Sequence, residues 1–210
     1  MHHRRLTSLG RLLALALLLA LLGGCASVRL LDTQVLALAQ VPPGLQLQGA
    51  RYRFERLPSQ AGNPEAGLAE QQAEQALAAV GLQRDDAAAQ LSVLVGFAGS
   101  QYPADPWGRP LGPWPYGGPV GSVSLSRGHW GSGVGVGVGM RFPPPVQYRR
   151  EVSLVLRDLA SGQVVYETRA SHEGPWSDSV PIFATLFKAA LANFPNPPAG
   201  PQRVNIELPR

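Results

Sequence analysis

Apolar and polar residues alternate with a period of two in several segments, and this pattern predicts β-strands. Residues 91–97 are apolar in both registers, as expected for a strand in the centre of a sheet. Residues 51–57 alternate polar and aromatic positions and predict a strand exposed on its other face. Residues 28–38 predict a strand or an extended lead-in, and residues 203–208 predict a last strand.

The clearest prediction is a β-hairpin formed by residues 149–157 and 163–170, in which every second position is apolar or aromatic. The segment between them supplies the turn. Asp158 can accept hydrogen bonds from the backbone that follows it, and Gly162 can adopt a positive φ.

Two segments have a period near 3.6 and predict amphipathic helices. Asn63-Pro64-Glu65 is a typical helix start, and Gly81 is a suitable terminator. The second helix opens within residues 177–181 and ends at Pro195. The predicted apolar face of the first helix is Leu68, Ala73, Ala76, Leu77 and Val80. That of the second is Ile182, Phe183, Leu186, Phe187, Ala190, Leu191 and Phe194.

Residues 98–147 differ from the rest, because they contain 12 glycines and nine prolines. This composition predicts an insert without a packed unit of regular structure. Residues 133–140 alternate Gly with an apolar residue and predict a flexible or edge strand. The whole pattern predicts an α+β fold: a mainly antiparallel sheet, two amphipathic helices on one of its faces, and this long Gly/Pro-rich insert.

The N-terminus predicts a secretory signal. Basic residues precede the eleven apolar residues 12–22, which are fewer than the ~20 that a membrane span needs. Leu22-Gly23-Gly24-Cys25 resembles a bacterial lipobox, at which the signal is cut and Cys25 receives diacylglycerol and an N-acyl chain such as palmitate. More than one chain gives stable anchoring. We therefore expect a signal peptide at 1–24 and one periplasmic domain at 25–210.

Charge excludes one class of partner. The chain has 18 basic and 14 acidic residues, but three of the arginines lie in the signal, so residues 25–210 carry a net charge of about +1. Nucleic-acid binding relies on many phosphate contacts and is not expected. A single cysteine excludes a disulfide framework, and the two histidines of residues 25–210, with scattered acids, give no metal-ligand spacing.

The sequence offers only weak signals for catalytic groups. The glycines of 131–139 lack the helix that a dinucleotide fingerprint requires. His172 with Ser171 or Ser177 and Asp178 could form a hydrolase trio, but a surface loop is the preferred interpretation. Asp85-Asp86 could act as a pair of catalytic carboxylates, but the preferred interpretation is a solvated turn. We expect neither catalytic residues nor a cofactor.

The aromatic residues of the insert are the candidate partner contacts, because exposed Trp and Tyr are enriched at binding surfaces. The alternative is a variable insert whose aromatic residues merely cover the sheet. The candidates are Trp107, Trp114, Tyr116 and Trp130.

The chain resembles the bacterial lipoproteins of the domain of unknown function 4136 family. The resemblance rests on Cys25, the strand around Tyr52 and Phe54, and Gly81-Leu82 after the first helix. It also includes strand 91–97, the hairpin Leu154–Tyr166, and the last helix ending at Phe194-Pro195. It implies no established activity and no catalytic residues. Tyr166 departs from the family, which often has Trp there.

Together these features predict a non-enzymatic lipoprotein that is anchored in the outer membrane and faces the periplasm. The absence of Asp at position 26 favours the outer membrane, by resemblance to sorted lipoproteins of Gram-negative bacteria. Its partners would be the membrane, through the acyl chains on Cys25, and an envelope protein. The alternatives are a periplasmic carrier of an apolar ligand and, least favoured, a hydrolase using His172.

Replacing Cys25 with Ser removes the thiol that accepts diacylglycerol. We expect the variant to lose its acyl chains and to be released from membranes, as measured by cell fractionation and labelled palmitate. Ser27→Ala is the control and should stay membrane-bound. A Cys25→Ser protein bound as tightly as wild type would contradict the anchor.

Overall fold

The computed structural model describes residues 28–112, 118–128, 131–141 and 143–209. The chain divides into two compact units. The larger comprises residues 32–204 and contains the candidate site. Of the smaller unit, residues 28–31 and 205–209 are described, and both segments are strands.

The described part of the chain forms strands and two helices, with one short 3₁₀ turn at Pro58–Gln60. The helices are α1 (Pro64–Ala79) and α2 (Ser179–Ala190). The first strands are β1 (Val28–Ala39), β2 (Arg51–Glu55), β3 (Gln83–Arg84) and β4 (Leu91–Pro103). They are followed by β5 (Gly118–Gly128), β6 (Gly131–Arg141), β7 (Val146–Asp158), β8 (Val164–Gly174) and β9 (Gln202–Pro209).

Seven strands form one sheet in the order β3-β2-β4-β7-β8-β1-β9. The pairs β4–β7, β7–β8 and β8–β1 are antiparallel, whereas β2 is parallel to both β3 and β4. The chain between β2 and β4 contains α1, as a parallel connection requires a crossover. The predicted α+β class, with a mainly antiparallel sheet and two helices, is confirmed.

The predicted hairpin is formed by β7 and β8, which lie near the centre of the sheet, and strand β4, predicted to be central, lies beside β7. Val152, Leu154 and Leu156 are fully buried and pair in register with Ala170, Thr168 and Tyr166. In the turn, the Asp158 carboxylate accepts hydrogen bonds from the amides of Ala160 and Ser161, and Gly162 has a φ of +72°. Hydrogen bonds from Ser161 lower the pKa of Asp158.

Residues 98–147 contain more regular structure than their composition predicts, and the strand predicted at residues 133–140 lies within β6. Strand β4 continues to Pro103, which pairs with Val146 at the start of β7. Strands β5 and β6 pair with each other over their whole length as a separate antiparallel ribbon. The physical reason is that strand pairing uses backbone amides and carbonyls, which glycine supplies as well as any residue.

Helix α1 begins as predicted, because the Asn63 side chain accepts a hydrogen bond from the Glu65 amide at 2.9 Å. Gly81 follows the helix with a φ of +91°. The predicted apolar face is partly wrong: Leu68 is 44% exposed and Val80 is half-buried. The buried face is mostly alanine and includes two polar residues; it comprises Ala66, Ala69, Glu70, Gln72, Ala73, Ala76 and Leu77.

Helix α2 ends at Ala190 rather than near Pro195, although hydrogen-bonded turns continue the chain to Phe194. Most of its predicted apolar stripe is buried, and Phe183 and Phe194 are half-buried. Its C-terminal turn is held to the sheet because the Thr168 hydroxyl donates to the Ala190 carbonyl at 2.8 Å. Neither helix in the described residues is long and apolar enough to cross a membrane.

Alanine substitutions at two glycines distinguish the effect of backbone strain on stability from the effect of helix propensity. A Cβ at Gly162 or at Gly67 would meet no atom within 4 Å, so substitution changes only the backbone. Gly162 has positive φ, and we expect Gly162→Ala to lower the free energy of unfolding by about 1–2 kcal/mol. Gly67 lies inside α1, where alanine favours the helix more than glycine does. Gly67→Ala should therefore raise the free energy of unfolding by about 1 kcal/mol. Equilibrium urea denaturation measures both, and a shift of the same sign would contradict this assignment.

Candidate functional site

A row of buried polar side chains crosses three adjacent strands of the larger unit. Thr33 on β1 pairs with His172 on β8, and His172 pairs with Arg150 on β7. Directly paired residues of antiparallel strands project from the same face of a sheet. All three side chains are buried, and each has a polar atom without a hydrogen-bond partner among the described residues: Thr33 Oγ1, His172 Nε2 and Arg150 Nη1.

Arg150 is the most unusual member of this row. Its side chain is 2% exposed, and its Nε and Nη2 atoms donate to the same Ser179 hydroxyl oxygen at 3.1 and 3.0 Å. The guanidinium carbon lies 5.1 Å from the centroid of the Tyr148 ring. Burial lowers the pKa of Arg150, and the negative charge of Asp178 opposes that shift. Arginine nevertheless remains protonated in proteins, so a positive charge is buried here.

His172 lies in a strand and not in the loop that the sequence predicted. The Nδ1 atom is 2.9 Å from the Asp32 carbonyl oxygen, which can only accept, so Nδ1 carries a proton. A Cβ added at Gly174 would lie 2.9 Å from His172 Nε2, so a larger residue there would displace the ring. Ser171 precedes His172 in β8 and points to the opposite face. The strand therefore does not bring Ser171 and His172 together as a catalytic pair.

An open groove of about 450 Å³ lies between the two helices and the ends of β4 and β7. Its apolar walls are Leu68 from α1, Phe97 from β4, and Val180 and Phe183 from α2. Val180 is 54% exposed, and the rings of Phe97 and Phe183 meet edge to face with centroids 6.3 Å apart. Arg150 also lines the groove, so one end of an apolar surface adjoins a buried cation.

Polar groups define the edges of the groove. The Gln72 side chain of α1 donates to the Val180 carbonyl of α2 at 3.2 Å and joins the two helices. Glu65 and Arg149 line the groove and are exposed. Within the described ranges, no cluster of three or more His, Cys, Asp and Glu side chains is placed to hold a metal ion.

Trp107, one of the predicted partner contacts, is 78% exposed in a well-bonded turn. The Asp105 carboxylate accepts from the amides of Trp107 and Arg109, both at 2.9 Å, and from Arg109 Nε at 2.6 Å. These hydrogen bonds lower the pKa of Asp105, against a desolvation effect that raises it. The Arg109 guanidinium lies 5.4 Å from the Trp107 ring centroid. The turn thus presents an indole and a cation side by side.

The other predicted site residues lie outside the described residues; they are Cys25, Trp114, Tyr116 and Trp130. Asp85 and Asp86 lie in a turn, as predicted. Asp85 accepts from the amides of Ala87 and Ala88 and faces Arg51 at 3.4 Å.

Sequence reasoning did not select Arg150 or Thr33. The available signal was the alternation of β7, in which Arg150 occupies the same register as the apolar Val152 and Leu154. A charged residue on the core face of a predicted strand is unusual enough to indicate a site.

Comparisons with known proteins add little. No protein-family model and no curated protein matches the chain. A solved PDZ domain protein from Parabacteroides distasonis aligns with 86% of this chain at 10% identity, with a TM-score of 0.47. The alignment spans only 39% of that protein. PelC from Paraburkholderia phytofirmans, solved as a dodecamer, aligns with 75% of this chain and 96% of its own at 15% identity, with a TM-score of 0.36. These scores are too low to support an argument about function.

Substitutions at two threonines on the same face test whether the row of buried polar side chains lacks hydrogen-bond partners. Thr168 donates to a carbonyl, whereas the Thr33 hydroxyl has no partner among the described side chains and backbone. We expect Thr168→Val to lower the free energy of unfolding by about 1 kcal/mol. Thr33→Val should leave it unchanged or raise it. Urea denaturation of both variants measures the difference, and an equal loss would show that the Thr33 hydroxyl has a partner.

Proposed function

We propose that this protein is a lipoprotein of the bacterial outer membrane that faces the periplasm and acts there as a non-enzymatic binding module. The observation that supports the proposal best is the groove between α1 and α2. It combines exposed apolar side chains with a buried cation, and apolar pockets with a few placed polar groups are typical of ligand sites.

The anchor is proposed from the sequence. Cys25 follows a basic start and eleven apolar residues, and it would receive the acyl chains that hold the protein on the membrane. The strand β1 begins three residues later at Val28. A folded domain would therefore start close to the lipid surface, which suits a module that acts at the membrane.

We further propose that both helices cover one face of the sheet and that residues 98–147 form an appended element. The first point is supported by the groove, to which both helices, β4 and β7 contribute. The second is supported by the separate ribbon of β5 and β6. The Trp107 turn would offer a second contact for an envelope protein, with Trp114, Tyr116 and Trp130 as its neighbours in the sequence.

The groove also supports the alternative of a periplasmic carrier for an apolar ligand. The two functions differ in whether the occupant is released into the periplasm or held at the membrane. A hydrolase is supported less, because the side chains of Ser171 and His172 point to opposite faces of β8. Membership of the domain of unknown function 4136 family stays a proposal that rests on the packing and turn patterns of the sequence.

Site-specific photocrosslinking in bacterial cells tests the binding function. A photoreactive amino acid replaces Val180 on the groove wall or, as the control, Leu159, which is 37% exposed and does not line the groove. We expect a defined adduct at position 180 in the membrane fraction, identified by mass spectrometry, and none at position 159. Equal labelling at both positions, or none at either, would contradict a binding groove.

A further inference from the structure

We propose that the groove binds a single-chain amphiphile whose anionic head group, a carboxylate or a phosphate, is held by Arg150. The acyl chain lies along the apolar walls formed by α1, α2 and β4. This inference deepens the proposed binding function and depends on it, since it names the chemical class of the ligand.

The hydrogen bonds of Arg150 indicate an anion. The Nε and Nη2 atoms form the edge of the guanidinium that grips two oxygens of a carboxylate or phosphate most effectively. Here both atoms donate to one neutral oxygen, that of Ser179, and Nη1 has no acceptor among the described residues. The nearby Asp178 charge offsets part of the cost of burying this cation, but its hydrogen bonds remain incomplete, which costs stability. An anionic head group that displaces the Ser179 hydroxyl replaces one neutral acceptor with two charged ones.

The charges around Arg150 favour recognition of an anionic group through direct contact at short range. Glu65 lines the groove, and the negative charge of Asp178, which precedes Ser179, acts on Arg150. Acidic groups therefore lie near Arg150, and the groove does not offer a uniformly basic surface to a highly charged partner. A bond to Arg150 in a low-dielectric setting is strong at short range and weakly screened by salt. The groove is therefore suited to a ligand that presents one small anionic group.

The walls indicate an alkyl chain. Leu68 and Val180 are 44% and 54% exposed, although each belongs to a helix that buries other residues. Together with Phe97 and Phe183 they form an apolar lining in a space of about 450 Å³, within the roughly 300–1,000 Å³ of small-molecule sites. Covering these side chains would be favourable by about 25 cal/mol per Å² of apolar surface.

The test uses the full chain in phosphatidylcholine nanodiscs and three photoreactive probes of equal chain length. The probes are a diazirine fatty acid, the corresponding lysophosphatidic acid and the corresponding fatty alcohol. Labelled residues are mapped by mass spectrometry. We expect at least one acidic probe to label the groove residues about tenfold more than the alcohol does. The acid that labels more strongly identifies the head group.

Three variants locate the contacts. Arg150→Met should reduce groove labelling by the acidic probe about tenfold. The melting temperature should stay the same or rise, because an apolar side chain replaces a buried charge with incomplete hydrogen bonds. Leu68→Glu should reduce labelling to a similar extent, because it places a carboxylate on the groove wall. Leu57→Glu is the matched control: Leu57 is 46% exposed and does not line the groove, so labelling should equal wild type.

Several outcomes would overturn the inference. Equal labelling of the groove by the alcohol would exclude head-group recognition, and labelling only outside the groove would exclude the site. If Arg150→Met fails to fold, the Leu68→Glu and Leu57→Glu pair still decides, and equal labelling of the two contradicts the proposal. A protein adduct at Val180 in cells, with no groove labelling by any probe, would leave the binding function intact and refute the amphiphile.

Discussion

The antiparallel pairing of β7 with β8 is the interaction on which the rest of the larger unit depends. Its register places Val152, Leu154 and Leu156 beside residues of β8 on one face, and all three are fully buried. A sheet face of this kind is stable only when another element covers it. Helix α2 contacts this hairpin, and the hydrogen bond from Thr168 to the Ala190 carbonyl fixes its C-terminal end.

The same register also places polar residues on the apolar face of the sheet. Counting back from Val152 by two reaches Arg150, and its partner on β8 is His172. The pleat therefore places both side chains on the same face of the sheet as Val152. Proteins that keep buried polar atoms without partners lose stability there, and such violations of the packing rules are concentrated at functional sites. This is why the end of the hairpin near Ser179, and not its middle, is where function is proposed.

The alanine-rich face of α1 shows where sequence patterns were insufficient. Periodicity assigned Leu68 to the core because it is large and apolar, but the helix buries Ala66 and Ala69 instead and leaves Leu68 on the groove wall. Helix periodicity defines a stripe only to within about one residue position, and small residues permit closer approach than large ones. Glu70 belongs to this buried face because the Arg56 guanidinium binds its carboxylate through two contacts of 2.6 Å.

The sequence alone determined the local elements: the hairpin with its Asp158–Gly162 turn, the Asn63 cap, the position after α1 occupied by Gly81, and the mainly antiparallel α+β class. The turn, the cap and the Gly81 position follow from residues close together in the chain, through hydrogen bonds and backbone preferences that need no distant partner. The class follows from the order of the predicted elements along the chain. Only the tertiary structure decided that β2 lies parallel to β4, that His172 is buried in a strand, and that Arg150 meets Ser179. Those relations join residues far apart in sequence, and strand register and helix placement, which local patterns do not encode, bring them together.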